Sequence, residues 1–525
     1  MKKSLSLKRC AAFLLAACMV LSLLAGCGGG GGEKEPSNST PSTGNPDASG
    51  GAPAGKDSLT VALTDEPDYL STCDHDSLMG VQMNLLTYNG LIRIDMETLS
   101  PVCDLAESYT QDSDLEWTFK LREGVKFHNG EELTAADVAA SIQYAQTFAA
   151  SAIYTGSMEK VEALDSNTVK ITTSAPTPNL LFDLGYHFNF ILPKSLIDSG
   201  NDFSANPVGT GPWKFVSWDK GNSIQFEAFD GYFDASRKAA IQNLEFVMIP
   251  EGSTRTMSLE AGDVDFVYSV ASSDIDRLRS DESVTVEQVV SVENFFLFLN
   301  TVTTAFEDEN LRKAVAYAIN REDIVAGALN GYGTPSYSCV SMGYAESTDE
   351  GSYTYDVDKA KEYMAAWGGD PSTVTLDIIC SNATKTAIAT IMQNQLSAIG
   401  INVTINEMDS ATYQEQMRTT DLVSAIVSWS PANAMTYVQR FHSTRRQNTP
   451  AGMADAHMDE LVEEMNTTMD AGARTGMIQT IIRESNDRCW FVPIYQVNYF
   501  RAHAAGLQNV VCSATGYVDF CTMHW

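Results

Sequence analysis

A mixed α/β fold in more than one lobe is what this sequence predicts, and three observations predict it. The chain has 525 residues, more than one simple core accommodates. Its hydrophobic share of 44% and charged share of 19% are those of a folded, water-facing protein. Its later half alternates short apolar strands with amphipathic helices.

The N-terminal segment stands apart from that body. Lys2, Lys3, Lys8 and Arg9 precede an apolar stretch from Cys10 to Leu24, which runs into Leu24-Ala25-Gly26-Cys27. A positive start, an apolar middle short of a bilayer span and small residues before a cut describe a secretory signal over residues 1–26. The Leu-Ala-Gly-Cys string resembles a bacterial lipobox, which implies a diacylglycerol on the Cys27 thiol and tethering through buried methylenes. Residues 27–56 then read as a disordered tether, because Gly, Ser, Thr, Pro and Asn dominate and little apolar surface offsets the entropy of ordering. No further long apolar run follows.

The folded body is expected to begin near Asp57. SLTVAL (58–63) alternates as a strand does, and Tyr109 to Leu121 carries the alternating WTFKL. Thr134 with Asp137 is the signature of a capped helix start. Thr168 to Thr172 and Ser223 to Phe229 read as strands. ENFFLFLN (293–300) reads as an apolar strand, and DENLRKAVAYAIN (308–320) as a helix with Leu311, Val315 and Ala318 on one face. Asp356 caps a helix to about Trp367, where Gly368-Gly369 ends it. Val374 to Cys380, Thr384 to Ile399 and Ile401 to Ile405 follow as strand, helix and strand, which implies a parallel pair with a right-handed crossover.

Composition excludes several functions. A formal charge of −33 without a basic stripe argues against nucleic acid. There is no GxSxG, HExxH, Walker or EF-hand pattern, so no enzyme, no metal centre and no cofactor is expected. Of 10 Cys, removing Cys10, Cys18 and Cys27 leaves seven, scattered and odd in number, which describes neither a zinc site nor a dense disulfide framework.

Several strings then resemble one family in order. YNGLIRIDMETLSPVCDLAESY (88–109), WTFKLREGVKFHNGEELTAADV (117–138), NPVGTGPWKF (206–215), LEAGDVDF (259–266), LRKAVAYAINREDIV (311–325), AIGINVTI (398–405) and VPIY (492–495) resemble the landmarks of family 5 extracellular solute-binding proteins. These are the dipeptide, oligopeptide and nickel receptors of ABC importers. Most motif residues are expected to serve the scaffold: Gly209 and Gly211 where a Cβ would intrude, and Arg312 as a tie between elements.

The resemblance implies a two-lobed, type II periplasmic-binding-protein-like fold with an extra inserted domain and a ligand cleft between lobes. Residues 57–80, 196–292 and 489–525 would form the first lobe, 81–195 the inserted domain and 293–488 the second lobe, with crossings near Val292 and Cys489. It further implies capture of a small solute, peptides above all, by closure of the lobes, and delivery to an ABC permease. A non-peptide ligand such as a metal chelate, oligosaccharide or opine-like compound, or a sensing role, is the alternative. The protein is expected to be a monomer, lipid-anchored and facing outward, the Gly-rich spacer fitting a Gram-positive surface better than a periplasm. Expected cleft residues are Asp65, Tyr69, Tyr186, His187, Glu293, Trp429, Asn433 and Tyr437. In the peptide receptors, an Asp shortly after a Trp matching Trp429 pairs with the peptide α-amino group; by direct spacing Ala432 stands there in this chain.

Overall fold

The computed structural model describes residues 56–73, 77–302, 304–419, 421–444 and 455–525. The expected signal, Cys27 and the tether to residue 55 lie outside the described residues. Among the described residues no helix is long and apolar enough to cross a membrane, and no disulfide forms.

The alternation of SLTVAL becomes the strand Ser58–Leu63, with Leu59, Val61 and Leu63 in one core and Ala62 in another. It pairs in parallel with Asn243–Met248 and Phe266–Val267. All three belong to one eleven-stranded sheet that runs from Asn402–Glu407 at one end to Trp213–Asp219 at the other.

Two long antiparallel strands cross the middle of this sheet. Val284–Leu299 has 16 residues and Phe491–Ala504 has 14. The sequence reading saw only the apolar half of the first, 293–300. The preceding Val-Thr-Val-Glu-Gln alternates apolar and polar side chains and continues the same ladder half-exposed. Register slips between Val290 and Asn294, and again between Phe295 and Phe296. Beyond the slip the strand is buried on both faces. Leu297 and Leu299 enter a core with Leu311, Ile378 and Leu396, while Phe296 and Phe298 enter one with Trp429, Ile482 and Phe491.

The helices start where short polar side chains can hold exposed amides. Asp308 accepts from the N–H groups of Asn310 (2.8 Å) and Leu311 (3.3 Å), and Asp356 from that of Lys359 (3.0 Å). They open the helices Glu309–Ala318 and Val357–Trp367. Thr375–Cys380 and Asn402–Glu407 pair in parallel around the helix Ala383–Ser397, the expected crossover unit.

The expected strand WTFKL falls in Glu116–Leu121, which forms a hairpin with Ala106–Gln111. Asp112 and Ser113 turn the chain there, both N–H groups bonding to the Glu116 carbonyl at 2.8 and 3.2 Å. With Thr168–Thr173 and Met158–Ala163 the hairpin makes a separate four-stranded antiparallel sheet. Trp117 and Phe119 pack there against Val138 and Ile142 of the helix Ala135–Ala145. Asp137 starts that helix as expected, accepting from the Thr134 N–H (2.8 Å) and hydroxyl (2.7 Å).

Two of the family-like strings meet in space. The His128 N–H donates to the Gly209 carbonyl at 2.9 Å, His128 Nδ1 accepts from the Gly209 N–H at 3.4 Å, and Nε2–H donates to the Gly211 carbonyl at 2.9 Å. Burial pushes this imidazole down to about 4, against the Gly211 bond. The folded protein therefore holds His128 neutral where the unfolded chain would protonate it near 6.5. Its contribution is complete above that pH and fades on acidification toward 4. The stability advantage of wild type over His128→Gln should shrink by roughly 2 kcal/mol between pH 7.5 and 5, at about 1.4 kcal/mol per pH unit below 6.5. Urea unfolding of both proteins at the two pH values measures this, and a difference independent of pH would disprove it.

Candidate ligand-binding cleft

A cavity of about 360 Å³ lies among segments far apart in the sequence, within the size range of small-molecule sites. Its walls come from the helix Leu78–Thr87 and the following Tyr88 and Asn89, from the strand Ile92–Ile94 with the turn after it and Asp104, from 185–190, from Tyr232 and Arg237, from Ser430-Pro431-Ala432 and from the C-terminal run 513–521.

Each wall has an identifiable support. Gln82 is fully buried and holds the C-terminal run by two bonds: its Nε2 donates to the Val518 carbonyl (3.0 Å) and its Oε1 accepts from the Val518 N–H (2.8 Å). The Tyr268 hydroxyl (2.7 Å) and Arg501 (2.7 Å) both donate to the Gly516 carbonyl. Val518 and Phe520 enter the adjoining core, and Asp519 between them is a cavity residue. The turn after Ile92–Ile94 is stiffened by Asp95, whose Oδ1 accepts from the N–H groups of Glu97 (3.3 Å) and Thr98 (3.0 Å) and from the Thr98 hydroxyl (3.0 Å). Leu99 there adopts φ 55°, rare for a branched side chain, and is buried among the core residues that include Trp429 and Tyr344.

The polar wall carries both signs of charge. Arg237 pairs with Asp519 at 2.9 Å and Arg93 with Asp95 at 3.3 Å. Asp104 is 5% exposed and accepts from the Asn89 amide at 2.9 Å. The Asn89 amide oxygen in turn accepts from the Thr210 hydroxyl at 3.0 Å. Burial pushes the Asp104 carboxyl up to about 6, against the Asn89 bond and the charges of Arg93, Arg237 and Arg122.

Tyr186 and His187 line this cavity. Asp65, Tyr69, Glu293, Trp429, Asn433 and Tyr437 are not among its lining residues. Asp65 and Tyr69 are exposed. Trp429 packs edge-on against Phe296, Phe491 and Tyr437, with centroids 4.6, 5.2 and 5.4 Å away, and Arg440 lies over its ring. Tyr437 is fully buried in the same cluster. Asn433 caps the helix Ala434–Val438, its Oδ1 accepting from the Thr436 N–H (2.8 Å), and its Nδ2 donates to the Asn179 Oδ1 at 3.0 Å. Glu293 sits half-buried in the register slip, its N–H bonded to Ser291 Oγ at 3.0 Å. The loop after Trp429 does reach the cavity, through Ser430, Pro431 and Ala432.

Sequence reading missed Arg93, Asp104, Arg237 and Asp519. The first two lie inside a string read as scaffold. Asp519 had a local signal, a lone charge between Val518 and Phe520, but no motif. Among the described residues, no group of three or more His, Cys, Asp or Glu is placed to hold a metal ion.

Comparison with known proteins agrees with this geometry. The model for bacterial extracellular solute-binding proteins, family 5 Middle, matches residues 100–449. The oligopeptide-binding protein AppA of Bacillus subtilis is 26% identical over 499 residues, covering 88% of this chain and 89% of that one. The glutathione-binding protein GsiB of Pectobacterium atrosepticum is 28% identical over 334 residues, covering 62% of this chain and 64% of the relative's length. Among solved structures, HbpA2 from Haemophilus parasuis superposes with a TM-score of 0.81 at 21% identity, covering 89% of this chain and 99% of that one. AgaA in complex with agropinic acid gives a TM-score of 0.70 at 25% identity, covering 89% and 98%. The likeness gives the expected fold class, mixed α/β and two-lobed like the periplasmic binding proteins. With its matching motifs and its cavity, the chain belongs to the family 5 extracellular solute-binding proteins.

Proposed function

We propose that this protein captures short peptides outside the cytoplasm and hands them to the permease of an ABC importer, making and breaking no bond. The observation that carries this reading is the cavity of about 360 Å³ whose wall combines apolar side chains with paired guanidinium and carboxylate groups. A peptide presents the same mixture: side chains, amides and a charge of each sign. The 26% identity to an oligopeptide-binding protein over 88% of the chain supports it.

In this reading, residues 57–80, 196–292 and 489–525 form one lobe, 81–195 an inserted domain and 293–488 the other lobe. Val284–Leu299 and Phe491–Ala504 are the crossings, and the register slip near Val290 is where they flex. Solute contacts from both lobes favour the closed form by their differential affinity. The protein acts as a monomer held to the outer membrane face by lipid on Cys27, on a Gram-positive surface. Tyr186 and His187 contact the solute directly. Asp65, Tyr69, Glu293 and Asn433 join them as the lobes approach, while Trp429 and Tyr437 support the wall from the core behind it.

Thermal shift with pooled synthetic di- to pentapeptides, followed by calorimetric titration of the hits, tests the reading. Peptides are expected to raise the unfolding temperature and to bind in the micromolar range or tighter, which at 100-fold excess over Kd adds about 2.7 kcal/mol. Ala432, standing where a carboxylate is expected, favours a second reading, a receptor for a non-peptide solute. Protection by metal chelates, oligosaccharides or opine-like compounds, with none from any peptide, would replace the first reading with the second.

A further inference from the structure

The cavity wall holds three carboxylates, and they are not equally occupied. Asp95 spends Oδ1 on its own turn and Oδ2 on Arg93. Asp519 receives Arg237 on Oδ2 at 2.9 Å and the Cys521 N–H on Oδ1 at 3.0 Å. Asp104 differs. Its Oδ2 accepts from Asn89 at 2.9 Å, and no described residue donates to Oδ1. Arg122 donates to the Asp104 backbone carbonyl at 2.7 Å, not to its carboxylate, and stacks over Phe233. Arg93 and Arg237 are each committed to their own carboxylate. Asp104 is therefore a buried acid at a cavity wall, with one oxygen held and one in want of a donor.

Asn89 fixes which oxygen that is. Its amide reaches the Asp104 Oδ2 and, at 3.4 Å, the Tyr232 hydroxyl, while Thr210 holds its other end. The carboxyl plane is thus set before any ligand arrives. A buried carboxylate lacking an ion-pair partner is costly, and a primary ammonium supplies both the missing charge and up to three N–H donors.

We propose that Asp104 receives the ammonium group of the solute, in place of the carboxylate that Ala432 does not provide. The ligand class is then a primary amine, which among peptides means a free N-terminus. The inference rests on the reading of the chain as a solute receptor and deepens it. The charged and titratable groups facing Asp104 are Arg93, Arg122, Arg237, the Tyr232 phenol and the Cys103 thiol, which burial raises and keeps neutral. The Tyr232 phenol, raised by burial, stays neutral, and the guanidinium groups stay charged, so below neutrality the proton that matters is that of Asp104 itself.

The test compares the peptide pool with the same pool N-acetylated, on wild type and on Asp104→Asn. Asparagine keeps the shape and can still accept from Asn89. Acetylation is expected to weaken binding to wild type at least 100-fold. D104N is expected to lose at least 30-fold for free peptides and to leave the acetylated pool unchanged. Wild-type affinity should fall toward tenfold per pH unit below about 6, and D104N should lose that dependence. Equal binding of the acetylated pool, or D104N binding free peptides as wild type does, overturns the inference while leaving peptide capture intact. Should D104N not fold, the pH profile of wild type decides: a flat profile from pH 7.5 to 5 overturns it. If no peptide protects wild type, peptide capture fails instead. A pool of amino acids, polyamines and amino sugars then decides Asp104: amine protection lost in D104N sustains it, and no protection by any amine overturns it.

Discussion

Replacing Arg312 with alanine should cost the protein about 3–5 kcal/mol of folding stability, far more than an ordinary surface change. Arg312 is 4% exposed and meets no carboxylate. Its guanidinium is satisfied by carbonyls: Nη1 donates to those of Phe306 (2.8 Å) and Glu307 (2.9 Å), and Nε and Nη2 to that of Arg488 (3.1 and 2.9 Å). One side chain thereby ties the helix Glu309–Ala318 to the end of the helix Ala471–Asp487, where Cys489, at φ 51°, turns the chain into Phe491–Ala504. Alanine leaves three carbonyls without their donor, each worth roughly 1–3 kcal/mol when buried. Lysine, with a point charge on a flexible stem, should recover only part of the loss. Thermal and urea unfolding of R312A and R312K measure this. A change below about 1 kcal/mol for alanine would mean water replaces the guanidinium at no cost, and the tie would be ornamental.

Gly211→Ala should act at two levels. A Cβ there would stand 2.3 Å from the Leu86 carbonyl oxygen and 2.5 Å from the Thr87 carbonyl carbon, and at Gly209 it would stand 2.2 Å from the Thr87 oxygen. These are backbone atoms, and the loop has no slack. The Gly211 N–H bonds to the Thr87 carbonyl at 2.9 Å, and His128 holds the other side. Relief requires moving the end of the helix Leu78–Thr87, whose Leu86 and neighbouring Tyr88 line the cavity. We expect a loss of about 3 kcal/mol or more and at least tenfold weaker solute binding. Thr210→Ala, between the two glycines, removes only the hydroxyl bond to Asn89 and should cost about 1 kcal/mol. If G211A behaves like T210A in unfolding and in titration, the close approach does not govern the cavity.

These two sites show which parts of the molecule the sequence makes legible. Gly209, Gly211, Arg312 and the caps Asp137, Asp308 and Asp356 answer constraints of the backbone within a few residues or of one tight contact. Such constraints leave a residue type at a fixed spacing. The cavity has no such imprint. Asp104, Arg237 and Asp519 meet across hundreds of residues of chain, and nothing near any of them in sequence announces the partner. Aromatic residues are ambiguous for another reason: burial of a large flat ring serves a core as well as a ligand wall. Tyr186 and His187 line the cavity, whereas Trp429 and Tyr437 fill the core beside it. The strand from Val284 was legible only in its apolar half, because its first half has the alternation of many exposed segments.

The halves of this molecule are joined through a single ladder of paired backbone from Asn402–Glu407 to Trp213–Asp219, not through slack loops. A ribbon of that kind behaves as a leaf spring. It yields by twist and curvature over several residues, and it pushes back in proportion to how far it is bent. In the proposed closure, the missing rungs beside Val290 would be the place where the ribbon bends most easily. Travel of one lobe against the other would then follow the bend of this ribbon, and a guest molecule would meet the same two walls at every encounter.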